Sequence, residues 1–565
     1  MGILSMDRQL KYYILTVLLI ISAAVKSQIS EGGTPPSFQY TTSLRAAVAP
    51  YEVSVNIDKK RLMWEDSIAA MNHGAIRVAE TFPVNLNIDS TGVWSVLPDS
   101  QKIWRQTVTA PDADGLIISY KEFYIPEGGK LYIYNSDKSQ ILGAYTNQTN
   151  RAGGGFANEI VRGDTFTLEY VASDISDEKP RIELLDVGYV YNRAALYAAS
   201  DNVLVYGDAS NNCIQNINCF PASNPWRDQK RGVVIVISKR NSRWWACTGS
   251  LINNTRQDGT PYVLTAAHCF SNDHGVTYAG FESIIYYFNY EEWGCTTGTK
   301  QPDITQTVVG STLKSFIPLK QGGDGALLLL SSSVPASYKA YFNGWDNSSA
   351  IAQSGAVIHQ PLADIKKLTL YDTPLATATL TAEGVTAATL AHLRVVYDGN
   401  GVTNSGSSGA PLFNENGLII GILSAGSSTC SSPFGPDYYG RLNYLWDKYS
   451  DSSLHFKQYL DPDNTGVTSL VGYDPNGIVA GTDDIIDSSV DYTLFPNPAA
   501  NEININSKSI IRTVEIFDIA GRLLFSKKGY SSSTLSVNIS DWSRGVYTVV
   551  IQSGNGKQTD KFIKN

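Results

Sequence analysis

Cysteine is scarce in this sequence, with six in 565 residues, and absent before Cys213 and after Cys430. No Cys-x-x-Cys pair occurs, which removes the usual zinc frameworks. An excess of one charge is also missing. Lys and Arg number 44 against 53 Asp and Glu, a net charge of −9 with no long run of either sign. Such a balance counts against nucleic acid or an anionic membrane surface as a partner. Beyond the first residues no apolar run is long enough to cross a bilayer, so the exported chain is expected to be soluble. Neither a metal nor a cofactor is expected.

The one apolar run, Tyr12 to Val25, follows Arg8 and Lys11 and precedes Val25-Lys26-Ser27. At about 14 residues it is shorter than a spanning helix and has the layout of a secretory signal peptide, residues 1–27, with a mature start near Gln28. Export makes the six cysteines candidates for three disulfides, and the sequence alone leaves about 15 pairings open.

The length suggests roughly three to five globular units. From 28 to 206, short alternating runs such as Lys130-Leu131-Tyr132-Ile133-Tyr134 are punctuated by turns such as Pro126-Glu127-Gly128-Gly129. They read as a cysteine-free, sandwich-like β domain, with a short helix around Trp64 to Asn72 before it. Residues 207–460 hold all the cysteines and many short β-branched runs, the pattern of a sandwich or a pair of barrels. A Gly, Ser and Asp-rich linker follows at 461–491. Within it Asp461-Pro462-Asp463-Asn464-Thr465-Gly466 resembles a calcium loop, but Gly472 stands where an EF-hand needs Glu, so a plain turn is expected. Residues 492–565 form a last all-β module.

Three strings in the middle segment carry chemistry. Leu264-Thr265-Ala266-Ala267-His268-Cys269 ends a strand on a histidine beside a cysteine. Gly406-Ser407-Ser408-Gly409-Ala410-Pro411 puts a serine on a glycine-flanked turn, and the amides of Gly406 and Ser408 are a candidate oxyanion hole. Asp324 precedes the apolar run Gly325 to Leu330 and could be buried against a histidine. A hydroxyl, an imidazole and a carboxylate that fixes its tautomer are the parts of a serine hydrolase, so His268 is the expected base, Asp324 its orienting acid and Ser408 the nucleophile.

In the order His, Asp, Ser, these residues resemble the chymotrypsin-like serine proteases. Thr-Ala-Ala-His-Cys is a string of that family, and Gly421-Ile422-Leu423-Ser424-Ala425-Gly426 is similar to its substrate-pairing strand, which makes Ser424 and Gly426 substrate-binding candidates. Across about 207–465 the resemblance narrows to the bacterial lysyl endopeptidases, through Ala246-Cys247-Thr248-Gly249-Ser250-Leu251, Gly344-Trp345-Asp346, Gly401-Val402-Thr403 and Tyr439-Gly440-Arg441. It implies a chymotrypsin-like double β-barrel and the pairs Cys213 with Cys430, Cys219 with Cys295, and Cys247 with Cys269. It also implies hydrolysis of protein or peptide substrates after Lys, with Arg as a second candidate. Trypsin's pocket aspartate is replaced by Val402, and Asp437 matches the position from which the lysyl endopeptidases supply the acid. Where those enzymes stack a histidine and a tryptophan beside the pocket, this chain has Ser424 and about Gly384.

Ser407 stands where trypsin has the aspartate that captures a new N-terminus, so activation by terminal insertion is not expected. The 28–206 region is read instead as a propeptide that assists folding or blocks the cleft. No Lys lies between Arg193 and Cys213, so its removal needs another protease or a cut after Arg193. The last module resembles the type A sorting domain of the type IX secretion system, through Leu494-Phe495-Pro496-Asn497-Pro498-Ala499, Gly545-Val546-Tyr547 and the terminal Lys561-Phe562-Ile563-Lys564-Asn565. This implies a β-sandwich, the outer-membrane secretion machinery as partner, and a secreted or surface-held product. A protease fold without catalysis, and an endopeptidase without basic preference, are the competing readings.

Overall fold

Runs of β-branched and aromatic residues bounded by Gly, Pro and Asn turns make strands of most of the chain. The computed structural model describes residues 30–40, 49–69, 74–151, 153–191, 213–219, 226–271, 280–292, 294–295, 304–382, 384–399, 401–475, 492–517, 523–553 and 556–565. The signal segment, the stretch between Arg193 and Cys213, and 476–491 of the linker lie outside them. No helix among the described residues is long and apolar enough to cross a membrane.

The N-terminal module stacks two layers. One is a six-stranded sheet built on Lys102–Thr109, Thr165–Val171 and Lys130–Asn135. The other contains β1 (Ile76–Pro83), β2 (Gly115–Tyr124) and β3 (Arg181–Val190), bonded in the order β1-β3-β2. The expected helix is present as α1, Lys59–Ala69.

The second layer does not end with the module. In the middle module β4 (Val233–Arg240) and β5 (Arg243–Ile252) form a hairpin, and β5 passes on to β6 (Tyr262–Ala266) and β7 (Gly325–Leu330). One edge of β5 is divided between two partners. Ser250, Leu251 and Ile252 pair with β6, while Arg243 to Ala246 pair antiparallel with β1. A single sheet of twelve strands results, and one continuous apolar cluster runs from Val78 and Ile118 to Val236 and Val263. Lys239 on β4 also makes an ion pair with Asp186 on β3.

The second half of the middle module is a ten-stranded sheet. It includes β8 (Gly355–His359), β9 (Lys367–Tyr371), β10 (His392–Val395), β11 (Pro411–Asn414), β12 (Ile419–Gly426) and β13 (Asp437–Arg441), in the order β9-β8-β11-β12-β13-β10.

The expected pair of closed barrels is therefore corrected. The protein is mainly β, but among the described residues no sheet closes: the end strands of neither large sheet bond to each other. In the first, β5 bonds β1 as well as β4 and β6, so the sheet grows outward into the N-terminal module. The C-terminal module is a separate sheet. Its five strands form one network that forks along Glu502–Phe517, which bonds three neighbours.

The disulfides join Cys213 to Cys430, Cys219 to Cys295 and Cys247 to Cys269, as the resemblance implied. The third ties β5 to the turn that carries His268.

Candidate active site

His268 lies in the single 3-10 turn Ala267–Phe270 that ends β6. Its backbone N–H donates to Asp324 Oδ1 at 2.9 Å, and its ring Nδ1 lies 2.7 Å from Asp324 Oδ2. The N–H of Ala267 donates to the Asp324 carbonyl at 3.2 Å. Asp324 is fully buried and has a left-handed backbone, φ 59°. That turn ahead of β7 aims its carboxylate at the imidazole. An ionised carboxylate is acceptor-only, so the proton sits on Nδ1 and the lone pair on Nε2, the tautomer of a general base. Nε2 is buried and has no hydrogen-bond partner among the described residues, the Ser408 hydroxyl included. Arg240 backs the turn by donating to the carbonyls of His268 and Ser271 at 2.7 and 2.9 Å.

Ser408 is fully buried. Its carbonyl accepts from the Thr248 N–H at 2.8 Å, which fastens the nucleophile loop to β5. Gly406 and Gly409 flank it with φ 86° and 81°. A Cβ on Gly409 would lie 2.1 Å from Thr265 Oγ1 and 2.4 Å from the Thr248 carbonyl, so only glycine fits that position. The Gly406 amide, expected in the oxyanion hole, donates to the Gly74 carbonyl of the N-terminal module at 2.9 Å.

Asp437, at the start of β13, is fully buried and forms no ion pair among the described residues. Five hydrogen bonds hold it. Oδ1 accepts from the amides of Ser427 and Ser428 at 3.0 and 3.1 Å. Oδ2 accepts from Tyr397 Oη at 3.0 Å, Thr403 Oγ1 at 2.5 Å and Ser428 Oγ at 3.0 Å. Burial, with Asp437 beside them, pushes the Tyr397 and Tyr439 phenols well above their ordinary range, so both stay protonated. Gly426 pairs with Asp437, and a Cβ there would lie 2.2 Å from Asp437 Oδ1. Ser424 shares a 3.2 Å hydrogen bond with His392 Nε2, and Gly384 is an exposed turn residue between Thr381–Ala382 and Val385–Thr386. Val402 is buried, and its carbonyl accepts from Thr369 Oγ1.

Motif reading missed two histidines. His359, at the end of β8, is fully buried, with Nδ1 2.7 Å from Ser407 Oγ and Nε2 3.1 Å from Thr369 Oγ1. Thr369 spends its proton on the Val402 carbonyl at 3.1 Å, so it accepts from His359 Nε2–H. That leaves Nδ1 to accept from the Ser407 hydroxyl, whose oxygen accepts from the Asn404 N–H at 3.2 Å. The circuit stitches the loop before Ser408 onto β8 and β9. Burial, helped by Lys367, pushes the His359 imidazole down to about 3. Burial likewise pushes His392 down to about 4 against the opposing pull of Asp324. No string around either residue could have revealed this, because each partner comes from a separate strand or loop.

Cys247, His268 and Cys269 also lie together, but the two sulfurs are bonded to each other and offer no thiolate to a metal. Asp461 accepts from Thr255, Thr465 and Gly466, the expected turn.

Two parts of the chain match known families. Residues 207–440 match the family model described as "Lysyl endopeptidase, C-terminal domain", and 493–565 match "Secretion system C-terminal sorting domain". A lysyl endopeptidase of Pseudomonas aeruginosa is 26% identical over 307 residues, covering 52% of this chain and 62% of that protein, so the match spans less than two thirds of the relative. Among solved structures, the thermostable serine protease AL20 from an extremophilic microorganism is 14% identical, with 40% of this chain and 100% of that one covered and a TM-score of 0.29. The protease Anisep from Arthrobacter nicotinovorans is 12% identical, with 43% and 99% covered and a TM-score of 0.30.

Proposed function

For a chain that joins a lysyl-endopeptidase-like domain to a type IX secretion sorting domain, exported through the periplasm and outer membrane to the outside or the cell surface, we propose a serine endopeptidase. It cuts on the carboxyl side of Lys, with Arg second, through an acyl-enzyme. The observation that carries this reading is the two-bond clamp of Asp324 on His268, with the buried Ser408 reached through its carbonyl, 3.9 Å from Sγ of Cys269, the residue after His268.

In the proposed reaction Ser408 Oγ attacks the scissile carbonyl while His268 Nε2 accepts its proton. The oxyanion is met by the Gly406 and Ser408 amides. Nε2 then returns the proton to the leaving amine, and a water, activated by the same nitrogen, hydrolyses the ester. Asp437 supplies specificity. A buried carboxylate without a cation favours a Lys ammonium and disfavours neutral side chains, which leave it unpaired.

The test is digestion of a denatured protein mixture by the secreted, processed enzyme and by Ser408→Ala, with cleavage sites read by mass spectrometry. Cuts after Lys that vanish in Ser408→Ala are expected. No cleavage at all would favour a binding protein, and cuts without basic preference would remove the role of Asp437.

A further inference from the structure

The N-terminal module has no assigned activity, yet it reaches into the catalytic centre. Its Gly74 carbonyl accepts from the Gly406 amide, where the oxyanion of a substrate would sit. Two residues on, Ile76 opens β1 and pairs with Ala246 on β5, and Arg77, Ala79 and Glu80 continue along the same edge. Ala246 adjoins Cys247, whose disulfide partner Cys269 adjoins His268. The chain therefore runs from the oxyanion site out along a strand edge that the disulfide ties to the turn carrying His268. A peptide substrate bound with its leaving-group side on β5 would follow that course, the strand-addition mode of recognition. A Cβ on Gly406 would lie 3.1 Å from Ile76 Cγ2, so the Ile76 side chain packs directly over the loop. Ser408 has no solvent exposure beneath it.

The segment is presented from a stiff support. Arg77, 4% exposed, donates to Glu65 and Asp66 and to the Leu62 carbonyl on α1, and to Glu80 on β1. One guanidinium thus holds the helix before the segment and the strand after it. Tyr191 donates to Asp66 at 2.6 Å, and Arg243 of the catalytic module pairs with Glu80 at 2.9 Å. Holding a bound backbone in its bound shape lowers the entropic cost of occupancy.

What the segment lacks is equally informative. The residue whose carbonyl faces Gly406 is a glycine, and a Cβ built on it meets nothing within 4 Å. No side chain projects from this residue, and Asp437 has no cationic partner among the described residues. The segment offers the backbone of a substrate without the side chain that Asp437 would read.

We propose that the N-terminal module is a built-in, substrate-mimicking inhibitor of the catalytic module, acting through the Gly74 carbonyl and β1, and that the missing side chain at Gly74 keeps it from being cut. The proposal rests on the reading of Ser408 and Gly406 as the catalytic centre and of Asp437 as the pocket acid.

The test uses the full chain, shown to be intact by mass spectrometry, and a lysine thioester as substrate. Intact wild type is expected to turn over at least about 100-fold more slowly than the processed form, the scale of losing oxyanion donors. Ile76→Asp, which places a carboxylate over the nucleophile loop, is expected to raise the intact rate about tenfold or more. Gly74→Lys should turn the inhibitor into a substrate. The bond from residue 74 to Ala75 breaks, with Ser408 acylated and then released by water, and a fragment beginning at Ala75 accumulates. That fragment should be absent from Gly74→Ala and from Gly74→Lys with Ser408→Ala. If intact and processed wild type turn over equally, the inhibitor is disproved while the endopeptidase reading stands. If processed enzyme cuts external Lys peptides but Gly74→Lys stays whole, the position assigned to Gly74 is wrong. If neither form cuts anything, both readings fall.

Discussion

Asp324 and Asp437 are both fully removed from solvent within one catalytic module, yet they are held in opposite ways. Asp324 is committed to an ionisable partner, clamping the ring and the backbone of His268. Asp437 is held by hydroxyls and amides alone and meets no cation among the described residues. A buried charge costs several kcal/mol unless its oxygens are satisfied. Asp324 is satisfied by the group it orients. In the proposed reaction the first arrangement orients the base at every turnover, and the second selects the substrate side chain.

The comparison can be broken most severely at Asp324. Asp324→Asn can no longer fix the Nδ1–H tautomer, and kcat should fall by about 10⁴-fold with KM little changed, read in steady-state kinetics. Asp437→Asn should do the reverse. Its kcat/KM for Lys substrates should fall by about 10³-fold while that for neutral residues stays within about threefold, measured on matched peptides. An equal loss on both substrates would mean that Asp437 supports the loop instead of reading the side chain.

Histidine sharpens the contrast through pH. The unfolded chain protonates each imidazole below about 6.5, whereas folded His359 and His392 stay neutral down to about 3 and about 4. In that window the unfolded state binds more protons, so stability is complete above about pH 6.5 and declines as pH falls. The expected loss by pH 4 is about 3 kcal/mol per imidazole, measured by urea unfolding across pH, with His359→Asn and His392→Asn flattening the curve. The smallest effect is that of His359→Ala on catalysis. Freed from its imidazole, Ser407 should let the Gly406 amide drift, lowering kcat about tenfold, with partial rescue in His359→Asn, which can still accept from the Ser407 hydroxyl.

Of the candidate site, the pairing of His268 with Asp324 was legible in the strings around them. Such strings encode local needs: Gly406 and Gly409 are glycines because their backbone is left-handed, and at Gly409 a neighbouring carbonyl leaves no room for a Cβ. The cysteines were legible as one group because they share one module, and their pairing came from the family resemblance. The donors around Asp437 were not legible. They are hydroxyls and amides from 397, 403, 427 and 428, residue types common in any loop.

The sequence by itself determined the β character, the lysyl-endopeptidase-like segment and the C-terminal sorting module. Only the tertiary structure decided that the first sheet stays open, that it continues from β5 into β1, and that the Gly74 carbonyl reaches Gly406. The physical reason is common to all three. Edge pairing between strands more than 160 residues apart is made by main-chain N–H and C=O groups that nearly every residue carries, so no side-chain pattern records which edge will meet which.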